Sequence, residues 1–98
     1  VTKPAPLEAS VVKSILKYLN GLPECRATKV SGDAKKSGEP DIDGCLRGRS
    51  LKFEVKRPGG KKATPLQLAT LTEWKAAGAI TGVVHSVDEV KDLIKELI

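Results

Sequence analysis

Aromatic side chains are scarce in this sequence, with Tyr18, Phe53 and Trp74 as the whole set. A platform that stacks single-stranded nucleic acid needs several exposed rings, and three do not make one. Histidine occurs once, as His85, and cysteine twice, as Cys25 and Cys45. That is too few, too widely spaced, for a zinc site built from close pairs. His85 is expected to end a strand in a structural role. No apolar run exceeds a handful of residues, so no membrane span is read, and no secretory pattern opens the sequence. The expectation is a cytoplasmic, intracellular protein, with both cysteines small buried apolar residues on strands rather than a disulfide.

Charge is plentiful. The 98 residues are 30% charged and 40% hydrophobic, with a formal net charge of +5. A chain of this length forms one domain, here residues 1–98, and buries about two-thirds of the surface its unfolded form exposes. The basic balance suits an anionic partner, of which nucleic acid is the commonest, and equally a basic protein with no such partner.

Read in order, Val1 to Pro6 form a proline-bearing lead-in. Leu7, Val11, Val12, Ile15, Leu16, Leu19 and Leu22 then recur at helical spacing, and Asn20-Gly21 with Pro23 stops the helix. Residues 24–30 read as a strand and 31–40 as a mobile basic loop. A hairpin follows, with strands at 41–46 and 50–56 joined by the turn Arg47-Gly48-Arg49. In its first strand, Ile42 and Gly44 face away from Asp41 and Asp43. After the cationic loop 57–62, Thr64-Pro65 opens a second helix with Leu68, Leu71 and Trp74 on its face, and Gln67 stands at the capping-box position. The β-branched run 79–84 reads as a strand covered on both faces. Ser86 and Glu89 form a second capping box ahead of a last helix with Val87, Val90, Leu93, Ile94 and Leu97 inward. The order α-β-β-β-α-β-α makes an α/β protein with a mixed sheet flanked by helices.

The centre of this arrangement is Glu54-Val55-Lys56. Leu51, Phe53 and Val55 alternate with Lys52, Glu54 and Lys56, so a strand sets the Glu54 carboxylate and the Lys56 ammonium side by side. Asp41 lies on the neighbouring strand, and aspartates are poor strand residues. Two carboxylates beside a lysine make a site for a divalent cation and a phosphodiester. On spacing alone, Glu54 and Lys56 fit equally well as an exposed salt bridge of little worth. Glu8, on the first turn of the first helix, reads from spacing as a complement to the helix dipole.

The runs EPDIDG, LKFEVKRPGGKKATPLQ and AAGAITGVVHSVDEV, in this order and spacing, resemble the PD-(D/E)xK nuclease superfamily. Within it they are most similar to the VRR-NUC family, the virus-type replication and repair nucleases. The resemblance runs from Leu7 to the last helix. It implies a restriction-endonuclease-like core in which Asp41 and Glu54 bind a metal ion together with the Val55 carbonyl. Lys56 would be the catalytic lysine, Gln67 would orient site groups as well as cap its helix, and Glu8 would be an accessory acid. The superfamily pattern needs only the aspartate after the proline, which leaves Asp43 a supporting or DNA-facing carboxylate.

Oxygen ligands favour magnesium or manganese over softer metals. Lys35, Lys36, Arg47, Arg49, Lys52, Arg57, Lys61 and Lys62 sit on loops and a strand expected to flank the site. There they could grip phosphates, which gives affinity without sequence choice, and each serves as well as a solvated surface charge. The activity implied is a metal-dependent DNA endonuclease of a bacterium or a phage-infected host. The partner expected is branched DNA such as a four-way (Holliday) junction, cut by a homodimer. The alternatives are a less selective nuclease or nickase and a DNA-binding module that does not cut.

Overall fold

Alternation along the central hairpin decides which side of the sheet becomes core. The computed structural model describes residues 6–32 and 35–98, so the lead-in at 1–5 and two residues of the 31–40 loop lie outside the described residues. The elements are α1 (Glu8–Asn20), β1 (Cys25–Lys29), β2 (Ile42–Leu46), β3 (Arg49–Val55), α2 (Pro65–Ala76), β4 (Ile80–Val84) and α3 (Val87–Ile94), followed by a 3-10 turn, Lys95–Leu97. This is the expected order. The four strands form one mixed sheet in the order β1-β2-β3-β4, with β1–β2 and β2–β3 antiparallel and β3–β4 parallel across α2.

The β2–β3 register pairs Ile42 with Phe53 and Leu46 with Arg49. Arg47 and Gly48 close the hairpin at φ 49° and 84°, the left-handed pair that a two-residue turn needs to match strand twist. Leu51, Phe53 and Val55 send their side chains into one core with Ile42, Leu46 and Ala27. Val11, Val12, Ile15 and Leu19 of α1 and Val90 and Ile94 of α3 close over it. Lys52, Glu54 and Lys56 therefore emerge on the opposite face, where α2 lies against β3 and β4.

Several expectations change. Leu7 is exposed and precedes α1 as its N-cap, without a side-chain cap bond. β2 starts at Ile42, one residue after Asp41. Leu68 is exposed and only Leu71 of α2 is buried, because α2 covers a polar sheet face. β4 is an edge strand and is half-buried along most of its length rather than covered on both faces. The second capping box forms only in part. The Ser86 hydroxyl accepts from the Glu89 N–H at 3.2 Å, but the Glu89 carboxylate turns to the backbone and ring of His85. Leu93 of α3 is also exposed.

The cysteines are corrected too: Cys25 is half-buried and Cys45 exposed, both free. Cys45 stands opposite Arg26, so adjacent Cys25 projects to the other face. Burial first, and Cys45 second, push the Cys25 thiol above its ordinary pKa, which makes it a poor nucleophile. No helix among the described residues is long and apolar enough to cross a membrane.

Candidate active site

Asp41 and Glu54 are the two buried acids among the described residues, at 8% and 1% exposure. Burying a carboxylate is costly unless hydrogen bonds or opposite charge compensate it, so their partners are informative. Asp41 directly precedes β2. Its Oδ2 accepts the Val55 N–H at 2.9 Å and its backbone carbonyl accepts the Val30 N–H at 2.8 Å, which ties it to β3 and to the end of β1. Its Oδ1 carries the Lys35 ammonium at 2.5 Å. Glu54 points to the same side from β3. Its Oε1 accepts from Gln67 Nε2 at 2.9 Å and lies 3.7 Å from Lys56 Nζ. Its Oε2 is buried and has no hydrogen-bond partner.

Burial first, and the adjacent Asp41 charge second, push the Glu54 carboxyl up to about 7, against a smaller downward pull from Lys35 and Lys56. Two carboxylates that cannot comfortably ionise together lack positive charge. The exposed salt-bridge reading of Glu54 and Lys56 fails on burial, since even the Lys56 side chain is only 15% exposed.

Gln67 caps its helix and also reaches Glu54. Its Oε1 accepts the Thr64 N–H at 2.8 Å and its N–H donates to Thr64 Oγ1 at 3.1 Å, completing the capping box. The backbone N–H makes the bond to Thr64 Oγ1, so the side-chain amide Nε2 is left to donate to Glu54. The cap thus fixes the rotamer that reaches the site. Val55 enters through its N–H, given to Asp41. Glu8, the first residue of α1, is exposed and lines a cleft of about 420 Å³ with Lys56, Arg57, Gly59, Gly60 and Lys61. It stands beside the catalytic-lysine candidate rather than on the carboxylates.

The donors fit a hard cation. They are oxygen only, one of them is a buried oxygen with no partner, and a lysine already supplies positive charge to the other carboxylate. Among the described residues no third His, Cys, Asp or Glu side chain joins the pair, so backbone, water and substrate oxygens would complete any coordination shell.

The cationic candidates divide. Arg57 and Lys61 line the cleft, and Lys62 is the exposed residue after it. Lys36 lines a separate cavity of about 280 Å³ with Glu39, Asp43, Lys52 and Trp74. Lys35 is committed to Asp41. Lys52 is held between Asp43, at 2.7 Å, and the face of Trp74, 3.9 Å from the ring centroid, so Asp43 acts as its counter-ion. Arg47 and Arg49 do not flank the site. They occupy the other end of the hairpin, about 20 Å away at ~3.3 Å per strand residue. There they donate to the carbonyls of Leu97, at 2.6 Å, and Gly78, at 3.1 Å.

Two partnerships were not legible in the sequence: Lys35 with Asp41, and Glu39 with the Trp74 indole at 3.1 Å. The only available signal was an acid directly before Pro40-Asp41 and a lone tryptophan on the helix that carries Gln67.

Among solved structures, one described as "VRR_NUC domain" is 30% identical, with a TM-score of 0.76, covering 96% of this chain and 100% of its own. The chain belongs to the VRR-NUC family. A second structure, described as "VRR_NUC domain protein", shares the fold at 19% identity, with a TM-score of 0.75 over 98% of this chain and 91% of that one. No family model and no curated protein matches the chain. On this VRR-NUC fold the two carboxylates stand at the open end of the central hairpin.

Proposed function

We propose that this VRR-NUC domain is a metal-dependent endodeoxyribonuclease acting on branched DNA, four-way junctions in particular, as a homodimer. One observation carries the reading: a buried carboxylate pair, one oxygen of it without a partner, beside a lysine that opens on a cleft lined by Arg57 and Lys61. A DNA-binding module that does not cut has no use for such an arrangement.

Asp41 and Glu54 are the residues that would hold magnesium or manganese, with the Val55 carbonyl as a further oxygen. The bound ion would supply positive charge at the phosphate and assist ionisation of water. The chain's own groups do the rest. Gln67 keeps Glu54 oriented by donating to Oε1, which leaves Oε2 as the free ligand atom. Lys56 places an ammonium where negative charge develops on the phosphoryl oxygens, in a setting dry enough to make that charge effective. Its backbone N–H is fixed to the Val84 carbonyl at 3.0 Å, so the side chain swings from a fixed base. Arg57, Lys61 and Lys62 attract and hold the DNA backbone without reading sequence, and Glu8 narrows the same cleft. In-line hydrolysis leaving a 5′-phosphate follows from the superfamily resemblance. Branched DNA presents paired strands and one domain has one site, which is the argument for two copies.

The test is cleavage of a labelled four-way junction beside linear duplex and single strand, with magnesium, manganese or chelator. Lys56→Ala and Asp41→Asn serve as controls. Metal-dependent cutting confined to the junction and lost in both variants supports the proposal. Equal cutting of all substrates replaces it with an unselective nuclease, and no difference between wild type and Asp41→Asn removes the enzymatic reading.

A further inference from the structure

Helix α2 reaches both carboxylates, one directly and one through a clamp that no part of the reading above uses. We infer that Trp74 and Glu39 are positioning residues for Asp41, which rests on the proposal that Asp41 and Glu54 bind the metal ion.

Asp41 is the residue of the pair with the weaker local support. Glu54 lies within β3 and is paired with Val83 of β4. Asp41 instead ends an irregular connection: the Val55 N–H and Lys35 hold its carboxylate, and the residues before it set where its backbone enters the site. That segment is pinned to α2 at two successive positions. At Glu39, the carboxylate accepts from Trp74 Nε1 at 3.1 Å. At Gly38, φ is 87° and a Cβ would fall 2.6 Å from Leu66 Cγ and 3.1 Å from Thr70 Oγ1, so only glycine lets the helix approach so closely. Pro40, which restricts its own φ, then leads straight into Asp41 and is buried.

Leu66, Thr70 and Trp74 are spaced i, i+4 and i+8, one row along α2, and Gln67 stands next to that row. One rigid helix thus presents Gln67 to Glu54 and the Trp74 indole to the segment that delivers Asp41. Trp74 is itself held from β3, where the Lys52 ammonium sits over its face and is braced by Asp43. One element is therefore tied both to Glu54 and to the segment that leads into Asp41, and a change at Trp74 reaches Asp41 although the indole hydrogen-bonds to neither carboxylate.

The experiment is Mn2+ binding to the full chain by calorimetry, without DNA, for wild type, Trp74→Phe, Glu39→Ala, Glu39→Gln and Asp41→Asn, each checked for folding by its thermal melt. Trp74→Phe keeps a ring under Lys52 but removes the donor, and Glu39→Ala removes the acceptor. Both are expected to bind Mn2+ about tenfold more weakly, the scale of one lost hydrogen bond to a charged group. Glu39→Gln keeps an amide oxygen for the indole and is expected to bind within about twofold of wild type. That recovery separates positioning from general loosening. Since Trp74 is the only tryptophan, its emission is expected to shift in Glu39→Ala and stay near wild type in Glu39→Gln. Wild-type affinity in Trp74→Phe and Glu39→Ala, with binding lost in Asp41→Asn, overturns the clamp and leaves the metal site standing. If wild type and Asp41→Asn bind Mn2+ alike, the metal site itself is wrong and the clamp falls with it.

Discussion

Replacing Glu54 by glutamine is expected to make the metal-free protein more stable above neutral pH while destroying its function. Glu54 is 1% exposed, one of its oxygens has no partner, and its carboxyl is raised from 4.5 to about 7, by burial first and by Asp41 second. Below pH 4.5 the group is protonated in both folded and unfolded chains and contributes nothing to the difference. Between 4.5 and 7 the folded chain keeps a proton that the unfolded chain has released, so stability falls as pH rises. Above 7 the full cost is present, about 3 kcal/mol at ~1.4 kcal/mol per pH unit.

Glutamine is isosteric and cannot ionise. Its carbonyl oxygen still accepts from Gln67 and its amide can donate toward Asp41. The variant should therefore match wild type near pH 4 and exceed it by up to about 3 kcal/mol at pH 8. For a domain of this size that is roughly 12–24 °C in melting temperature. The assay is a series of circular-dichroism melts of both proteins from pH 4 to 8.5 in chelator, where the difference curve isolates residue 54 from every shared group. Repeating the pH 8 melt with excess magnesium should raise wild type toward the variant and leave the variant unmoved. Melting curves that stay parallel across the pH range would refute the assignment of Glu54 as a strained, cation-seeking carboxylate.

Four further outcomes are expected. Lys56→Ala should lower the cleavage rate by about 10²–10³ with little change in DNA affinity, measured by single-turnover kinetics beside equilibrium binding. Lys35→Ala removes an ammonium that occupies Asp41, so calorimetry should show magnesium binding roughly five- to tenfold tighter; weaker binding would mean that Lys35 assists the ion rather than competing with it. Neutralising Arg57 or Lys61 should each reduce the slope of log affinity against log salt by about 1, whereas Arg47→Gln, at the far end of the hairpin, should leave it unchanged. Asn20→Ala should cost about 1–3 kcal/mol in a denaturant titration, because the Asn20 amide accepts the Ala27 N–H at 2.8 Å and donates to its carbonyl at 2.9 Å. The same substitution uncovers the β1 edge, so sedimentation should show more self-association.

The residue pattern alone determined the element order, the central hairpin and the apolar face of the sheet, because alternation and helical spacing are local and the core has only one side to fill. It also determined the pairing of Glu54 with Lys56, two residues apart on one strand, and the Thr64–Gln67 cap. The hairpin brought Asp41 opposite them. What the pattern misjudged depended on which surfaces meet. Leu68 looked inward until α2 lay on a polar face, β4 looked buried until it became an edge, and Cys45 looked apolar until its face stayed open. Arg47 and Arg49 read as phosphate contacts because charge carries no address, and only the hairpin's length placed them at the wrong end. The tertiary structure alone decided two long-range partnerships, Lys35 on Asp41 and Trp74 on Glu39, and it gave Gln67, expected to orient site groups, the Glu54 carboxylate as its partner. Each joins residues from different elements, and their separation is set by helix packing, which no local spacing encodes.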